Sequence, residues 1–168
     1  IRDLETARIA VQASLTGHLV LATLHTNDAA SAVTRLVDMG VEPYLLASAL
    51  VGVLAQRLVR KVCPHCRVER PLPDAARRAL GLPESARTSW HAEGCPECGQ
   101  SGYRGRTGIH ELLILDDGLR AGVHDGVSDQ ALRERARAQG MRSLREDGGR
   151  WVAAGVTSVE EVLSATRD

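Results

Sequence analysis

Aromatic side chains are scarce in this sequence, which has 2% of them in 168 residues and no phenylalanine. The buried core must therefore be built from leucine, valine, isoleucine and alanine, and aromatic platforms on which bases stack are not expected. The formal net charge is zero, because 21 lysine and arginine residues balance 21 aspartate and glutamate residues. A neutral composition does not suit a strongly basic nucleic-acid binder, so we expect no nucleic acid as a partner.

Long apolar runs and phosphate-binding loops are also absent. The longest apolar run, residues 44–55, contains Ser48 and is shorter than the ~18 residues that a membrane span needs. Lys61 is the only lysine and does not follow a glycine-rich loop, so the sequence has no G-x-x-x-x-G-K-[ST] motif. Because the chain opens on Ile1 without an initiator methionine, we expect it to be part of a longer polypeptide. It shows no signal peptide, so nothing in the sequence suggests export.

The first sixty residues alternate between helical and extended patterns. Asp3 can cap a first helix with apolar residues at three- and four-residue steps, which Gly17 ends. The apolar run from Leu19 to Leu24 then predicts a strand buried on both faces. The segment His25 to Asp28 can cap a second helix, and we expect a third helix from Pro43 to about Arg60. This order predicts the α/β class, with parallel strands that lie upstream of the chain.

Residues 61–168 fall into two parts with different sequence patterns. Residues 61–108 hold all four cysteines and five of the six prolines, which predicts a separate small subdomain, and the glycines of 102–108 predict tight turns. The run from Ile109 to Leu115 predicts a strand that returns toward the first sixty residues. Helices are then expected after Asp117, from Ser128 to Gln139, from Ser143 to Ala154 and from Ser158 onward. The expected domains are 1–60, 61–108 and 109–168.

Two Cys-x-x-Cys pairs, separated by 28 residues, predict a metal site. Four sulfurs leave no open position for water, so the zinc would be structural and would stabilise a subdomain too small for a large core. Disulfides or a thioredoxin-like redox pair are the alternatives. A neutral chain without a signal favours a reducing compartment, and neither pair opens a helix after a strand. The expected ligands are Cys63, Cys66, Cys95 and Cys98, with His65 as a turn residue.

His25 follows the expected buried strand, where open α/β sheets bind ligands and a helix N-terminus attracts phosphate. Thr23, Thr26 and Asn27 can add hydroxyl and amide contacts there. The same position also fits a histidine that only helps to cap a helix, and position alone does not decide between the two. The basic residues of 57–78 fit a solvated face better than a contact surface for anionic phosphates or acidic partners. Arg57 is the exception, because it closes the expected third helix.

Several separate motifs resemble the bacterial ATPases that drive type II secretion and type IV pilus assembly. They are Ile1-Arg2-Asp3-Leu4-Glu5-Thr6-Ala7, Thr16-Gly17-His18, Thr23-Leu24-His25-Thr26-Asn27-Asp28, Gln56-Arg57-Leu58, the paired cysteine knuckles, Gly102-Tyr103-Arg104-Gly105-Arg106-Thr107-Gly108-Ile109 and Gly140-Met141-Arg142-Ser143-Leu144-Arg145. The resemblance is to the C-terminal half of these proteins and covers essentially the whole chain. The segment 109–117 is more similar to the E-type ATPase of type II secretion than to the pilus extension motor.

This resemblance implies part of a RecA-like P-loop sheet with an inserted zinc subdomain and a C-terminal helical subdomain. It implies a homo-hexamer at the cytoplasmic face of the inner membrane, which contacts the secretion platform and its cytoplasmic anchor protein and couples ATP hydrolysis to pseudopilus growth. His25 would be the histidine that senses the terminal phosphate, and Arg2 and Asp3 would end the Walker B region. Thr23 and Arg57 are expected near the nucleotide.

The family's phosphate loop, aspartate box, arginine fingers and Walker B glutamate all lie outside this sequence. We therefore expect that the chain alone neither binds ATP tightly nor hydrolyses it with Mg²⁺. Two other classes stay open at this point. One is a free-standing zinc-ribbon adaptor without catalysis, and the other is a thiol oxidoreductase with metal-free cysteines.

Overall fold

The computed structural model describes residues 1–167 and shows a mixed α/β protein. The elements are α1 (Leu4–Leu15), α2 (Ala29–Asp38), α3 (Pro43–Ala49), β1 (Gly52–Val62), β2 (Arg67–Pro71), α4 (Asp74–Ala79), β3 (Thr88–Ala92), a 3-10 helix (Pro96–Cys98), β4 (Tyr103–Ile114), α5 (Asp117–His124), α6 (Asp129–Ala138), α7 (Leu144–Ala153) and α8 (Val159–Ala165). Strand β1 pairs with β4, and β2 pairs with β3. Within 1–167, none of the helices has both the length and the apolar content to cross a bilayer.

The chain divides into two compact units. The first comprises Ile1–Ala55 and Glu111–Met141, and the second comprises Gln56–His110 and Arg142–Asp168. Each unit has a core of its own made of aliphatic side chains, as the shortage of aromatics requires. The division into 1–60, 61–108 and 109–168 stays a sequence-based prediction.

Helix caps organise the first unit. Asp3 caps α1 by accepting the amide N–H of Thr6, and Asp28 caps α2 in the same way. Asp116 and Ser128 cap α5 and α6. Helix α3 packs against α1 and α5, while α2 packs against α6. These contacts bury a continuous apolar core that includes Val33, Leu36, Leu46, Leu113, Leu119 and Leu132.

The second unit is built around an antiparallel β2–β3 pair and two packed helices. Arg67 lies opposite Ala92, and Pro71 lies opposite Thr88. Helix α7 begins with a capping box in which Ser143 and Glu146 satisfy each other's backbone amides. Its Gly148 lies so close to Val162 of α8 that a Cβ atom would collide with that side chain. The core of this unit includes Val59, Leu80, Ile109, Val152 and Val162.

An ion pair joins β1 to α8 within the second unit. Glu161 accepts the backbone N–H of Arg60 at 2.9 Å and its guanidinium at 2.5 Å. The same guanidinium lies over the ring of Tyr103 at 4.1 Å, and the Tyr103 hydroxyl is 2.9 Å from that of Ser158. The hydrogen bonds from Arg60 hold the pKa of the Glu161 carboxyl below its usual range, although burial opposes this.

This pair predicts a pH-dependent stability of the second unit. Because the folded state lowers the pKa of Glu161, its contribution is present above the unfolded pKa of about 4.3 and is lost as pH falls through the lower folded value. We expect Glu161→Gln to flatten the acid side of the stability profile. Urea unfolding at several pH values below neutrality measures it. Glu93→Gln, in the half-exposed pair with Arg70, should change the profile less, and equal changes would contradict the expectation.

The expected buried strand from Leu19 to Leu24 is wrong in this structure. Residues 18–26 form neither helix nor strand, and Leu19 and Leu21 are 83% and 89% exposed. A strand needs a hydrogen-bonded neighbour, and among residues 1–167 the paired strands are β1 with β4 and β2 with β3. The segment is tied to the start of the chain instead, since the Ile1 amino group donates to the Thr23 carbonyl at 2.6 Å.

The expected third helix is correct only at its beginning. Helix α3 starts at Pro43, as the sequence predicts, but it ends at Ala49 and β1 follows from Gly52 to Val62. A Cβ atom at Gly52 would lie 2.9 Å from the Leu113 carbonyl oxygen of β4, so glycine permits this close approach of two strands. Residues 44–55 are mostly apolar on both sides of the change from helix to strand, so the apolar pattern did not indicate where the helix ends.

The returning strand is confirmed, but it is longer than expected. Strand β4 runs from Tyr103 to Ile114 and so includes most of the glycine-rich stretch that was expected to form turns. Gly102 and Gly105 do have positive φ values of 76° and 75°, which is the backbone conformation that favours glycine. The helices after Asp117, Ser128, Ser143 and Ser158 all lie where the sequence predicts them, within one or two residues.

Candidate functional site

Two turns of the second unit bring the four cysteines together. Cys63 directly follows β1 and Cys66 directly precedes β2, while Cys95 directly precedes the 3-10 helix and Cys98 is its last residue. The turn at the second pair depends on glycine, because Gly94 and Gly99 have φ values of 111° and 59°. The amide of Arg67 returns to the Cys63 carbonyl at 3.1 Å, which closes the first turn.

The sulfur positions fit a tetrahedral metal ion. All four Sγ atoms lie within 4.8 Å of one another. The Cys63–Cys95 and Cys66–Cys98 distances are 3.9 Å, and the Cys95–Cys98 distance is 3.7 Å. A tetrahedron with metal–sulfur bonds of ~2.3 Å has sulfur–sulfur edges of ~3.8 Å. The four cysteines can therefore hold a metal ion, and four thiolates are the donor set that suits zinc.

The same distances exclude disulfides in this structure. A disulfide joins its sulfurs at ~2.05 Å, far below any sulfur–sulfur distance at this site, and all four cysteines are free. Cys63 is fully buried and the other three are partly buried. His65, between Cys63 and Cys66, is exposed and lies outside the group of four ligand atoms, as a turn residue would.

Burial and hydrogen bonds from backbone amides shift the pKa values of the thiols at this site. Burial opposes ionisation of Cys98, but the amides of Cys95 and Gly102 each donate to its Sγ at 3.2 Å and bring its pKa down to about 6. Burial raises the pKa of the Cys66 thiol to about 12, although the amide of Gly94 donates to it. Four thiols this close cannot all ionise without a cation, so metal binding displaces protons and metal affinity falls as pH falls.

The residues expected near a nucleotide lie at the start of the first unit and just before α2. The bond between the Ile1 amino group and the Thr23 carbonyl places the segment of Arg2 and Asp3 beside that of His25. Thr23, His25 and Arg2 are exposed. The Asp3 carboxylate accepts the amide of Thr6 at 2.8 Å, which lowers its pKa and makes it a helix cap. The nucleotide contacts of these residues stay predictions.

Arg57 belongs to the second unit, whereas the other four residues belong to the first. It lies on β1 rather than at the end of a helix, and its guanidinium donates to the carbonyl of Gln56 at 3.1 Å. The expectation that Arg57 closes a helix is wrong, because residues 52–62 form a strand. Its place near the nucleotide stays an expectation from the family resemblance.

The structure also adds two residues that sequence reasoning missed. Glu111 of β4 is 4% exposed, and its Oε1 accepts the amide of Ala29, the first residue of α2, at 2.9 Å. Arg133 of α6 donates to the Asp28 carboxylate at 2.8 Å. A signal for Glu111 was present, since it occupies one of the alternate positions of the returning strand at which Ile109, Leu113 and Leu115 are buried. No local pattern indicates Arg133, which is 105 residues from its partner.

Comparisons with known proteins cover almost the whole sequence. A family model described as "Type II/IV secretion system protein" matches residues 1–164. The chain is 65% identical over 168 residues to the type II secretion system protein HxcR of Pseudomonas aeruginosa, which covers 100% of the chain and 32% of that protein. It is 54% identical over 170 residues to the type II secretion system ATPase E of Vibrio cholerae, with coverage of 100% and 33%.

Relatives from pilus systems match as well. The chain is 54% identical over 170 residues to the type IV pilus assembly ATPase PilB of Thermus thermophilus, with coverage of 99% of the chain and 19% of PilB. A crystal structure of the pilus retraction motor PilT with bound ADP matches with a TM-score of 0.66 and 24% identity, covering 100% of the chain and 38% of that chain, which shows a shared fold. The chain thus spans a third or less of the length of these curated relatives, and the match over residues 1–164 shows that it belongs to the type II/IV secretion system protein family.

Proposed function

We propose that this chain is part of the ATP-driven motor of a type II secretion system. The observation that carries the proposal is the 65% identity, over all 168 residues, to a type II secretion system protein, together with 54% identity to a relative whose name specifies an ATPase. The fold shared with PilT supports a RecA-like architecture for the longer polypeptide. In that polypeptide, ATP and Mg²⁺ would be bound mainly by residues outside this chain.

The first unit would contribute residues that contact the nucleotide. His25, exposed just before α2, would donate a hydrogen bond to the terminal phosphate and stabilise the charge of the transferring group. Arg2 would act beside it, since the Ile1 nitrogen lies 2.6 Å from the Thr23 carbonyl oxygen and so places their segments side by side. Asp3 and Thr23 would line the cofactor site, and a nucleotide contact by Arg57 is proposed from the family resemblance alone.

The second unit would contribute a structural zinc ion. Cys63, Cys66, Cys95 and Cys98 would hold it as thiolates, with no open coordination position for water. When bound, zinc supplies a cross-link between two turns rather than chemistry. Amides that donate to Cys66 and Cys98 hold those sulfurs in place.

We also propose an oligomeric state, a cellular location and partners for the motor. The working form would be a homo-hexamer at the cytoplasmic face of the inner membrane, where it would contact the secretion platform and its cytoplasmic anchor protein. ATP hydrolysis there would drive pseudopilus growth and protein export.

The chain by itself would be inactive. Phosphoryl transfer depends on backbone amides and a lysine around the phosphates and on a carboxylate that places Mg²⁺ and water. The sequence has no G-x-x-x-x-G-K-[ST] loop to supply the first of these.

ATP hydrolysis by two purified proteins tests the proposal. One is the 168-residue chain, and the other is the longer polypeptide that contains it together with an upstream phosphate loop. We expect magnesium-dependent turnover by the longer protein and none above background by the chain. Absence of hydrolysis by the longer protein, in the presence of its assembly partners, would refute the motor assignment. Turnover by the chain alone would refute only its inactivity.

A motor for type IV pilus assembly is the second candidate, because the chain is 54% identical to PilB. Gene deletion in the source bacterium separates the two. Loss of exported proteins with intact pili supports type II secretion, and the reverse result supports pilus assembly.

A further inference from the structure

The start of α2 is held by a carboxylate from a distant part of the chain. Oε1 of Glu111 accepts the amide of Ala29 at 2.9 Å, across 82 residues of sequence, and both residues are buried. A buried carboxylate is unfavourable unless it has hydrogen-bond partners. This bond therefore fixes the first turn of α2 relative to β4.

A second set of bonds holds the residue before the helix. Asp28 accepts the amide of Ser31 at 2.8 Å and the guanidinium of Arg133 at 2.8 Å. Its own carbonyl accepts the Thr26 hydroxyl at 3.2 Å. The chain between Thr26 and Ala29 is thus restrained from α6 as well as from β4.

These hydrogen bonds limit which groups near the start of α2 can bind an anion. Two amides of the first turn of α2 already have carboxylate partners, Ala29 with Glu111 and Ser31 with Asp28. Their negative charge opposes a phosphate at the helix end itself. His25 remains exposed, three residues before the restrained turn. The exposed imidazole is thus better placed for a phosphate than the helix end, where two carboxylates already lie.

We infer that Glu111 is a positioning residue for His25. By accepting the Ala29 amide, Glu111 fixes the first turn of α2. It thereby fixes the position of residues 25–28, which lead into the helix, and so the position of the His25 imidazole. The inference rests on the proposed ATPase function. A catalytic group displaced by about 1 Å can lose about 100-fold in rate, so loosening this anchor lowers turnover more than nucleotide affinity.

Two variants of the longer polypeptide isolate the hydrogen bond. Glu111→Met nearly preserves the buried volume and removes the acceptor, whereas Glu111→Gln retains an acceptor oxygen. We expect Glu111→Met to lower kcat about 10- to 100-fold with little change in KM for ATP, and Glu111→Gln to remain within about threefold of wild type. Leu113→Met, on the same strand and equally buried, is the control and should leave kcat unchanged.

Amide hydrogen exchange of the 168-residue chain gives a readout that does not depend on activity. The Ala29 amide should exchange about tenfold faster or more in Glu111→Met, and at the wild-type rate in Glu111→Gln and Leu113→Met. A wild-type longer polypeptide without ATPase activity would refute the proposed function, while this exchange pattern would still test the anchor.

Three results would overturn the inference. They are wild-type kcat in a folded Glu111→Met protein, equal losses in Glu111→Met and Glu111→Gln, and an unchanged exchange rate at Ala29. If Glu111→Met does not fold, Glu111→Asp replaces it, because it keeps the charge and withdraws the oxygens by one methylene. Glu111→Asp should then lower kcat and speed exchange at Ala29, and wild-type values for both would overturn the inference.

Discussion

Replacing Cys63 by serine is expected to abolish metal binding and to unfold residues 61–108. Cys63 is fully buried, and a serine hydroxyl does not replace a thiolate as a zinc ligand. The three remaining thiols, still within 4.8 Å of one another, would lose the cation that allows them to ionise together. Structural zinc contributes about 10–16 kcal/mol in small zinc-binding peptides, which is as large as the whole free energy of unfolding of a typical domain, about 5–15 kcal/mol.

Metal analysis and limited proteolysis measure this effect together. The wild-type chain should contain one zinc ion per molecule and resist cleavage within 61–108, whereas Cys63→Ser should contain none and be cleaved there. His65→Ala is the matched control, because His65 lies in the same turn, is exposed and stands outside the four-sulfur group. Retained protease resistance in a metal-free Cys63→Ser protein would contradict the expectation. Four thiols that react without a chelator in the wild type would favour a redox role instead.

Replacing His25 by alanine in the longer polypeptide is the second change with a large expected effect. If the imidazole donates to the terminal phosphate, its loss should lower kcat for ATP hydrolysis about 100- to 1,000-fold, as loss of one positioned donor does elsewhere. The KM for ATP should change little, because most of the binding contacts lie in the phosphate loop outside this chain. Steady-state hydrolysis measures both constants.

His18→Ala is the control for this experiment. His18 is exposed in the same connecting segment, and its Nδ1 lies 3.2 Å from the Thr16 hydroxyl. We expect wild-type turnover from this variant and unchanged zinc content in both. A His25→Ala protein with wild-type kcat would remove His25 from the catalytic site and leave it as a residue that precedes a helix cap.

Local signals in the sequence predicted the features that depend on neighbouring residues. Asp3, Asp28 and Ser143 cap helices where their positions indicated, because a cap involves only residues up to three positions away. The cysteine site was predictable for the same reason, since each Cys-x-x-Cys spacing defines half of a tetrahedron.

Features that depend on distant residues were not predictable in this way. The pairing of β2 with β3 joins segments about twenty residues apart, neither of which has a distinctive apolar pattern. The apolar character of 19–24 indicated burial, but burial of a strand depends on a neighbour that residues 1–167 do not provide. Glu111 and Ala29 are 82 residues apart, and only the folded structure shows that they form a hydrogen bond.

The uncovered segment from Leu19 to Leu24 has a consequence for handling the chain on its own. It is uncharged and free of proline, it forms neither helix nor strand, and Leu19 and Leu21 face solvent almost completely. Such a segment offers backbone donors and acceptors to any second strand, together with apolar side chains that gain from being covered. Two copies of the isolated chain can therefore join edge to edge at this segment. Concentration-dependent aggregation of the purified chain would begin here, and a charged substitution at Leu19 would be the first remedy for poor solubility.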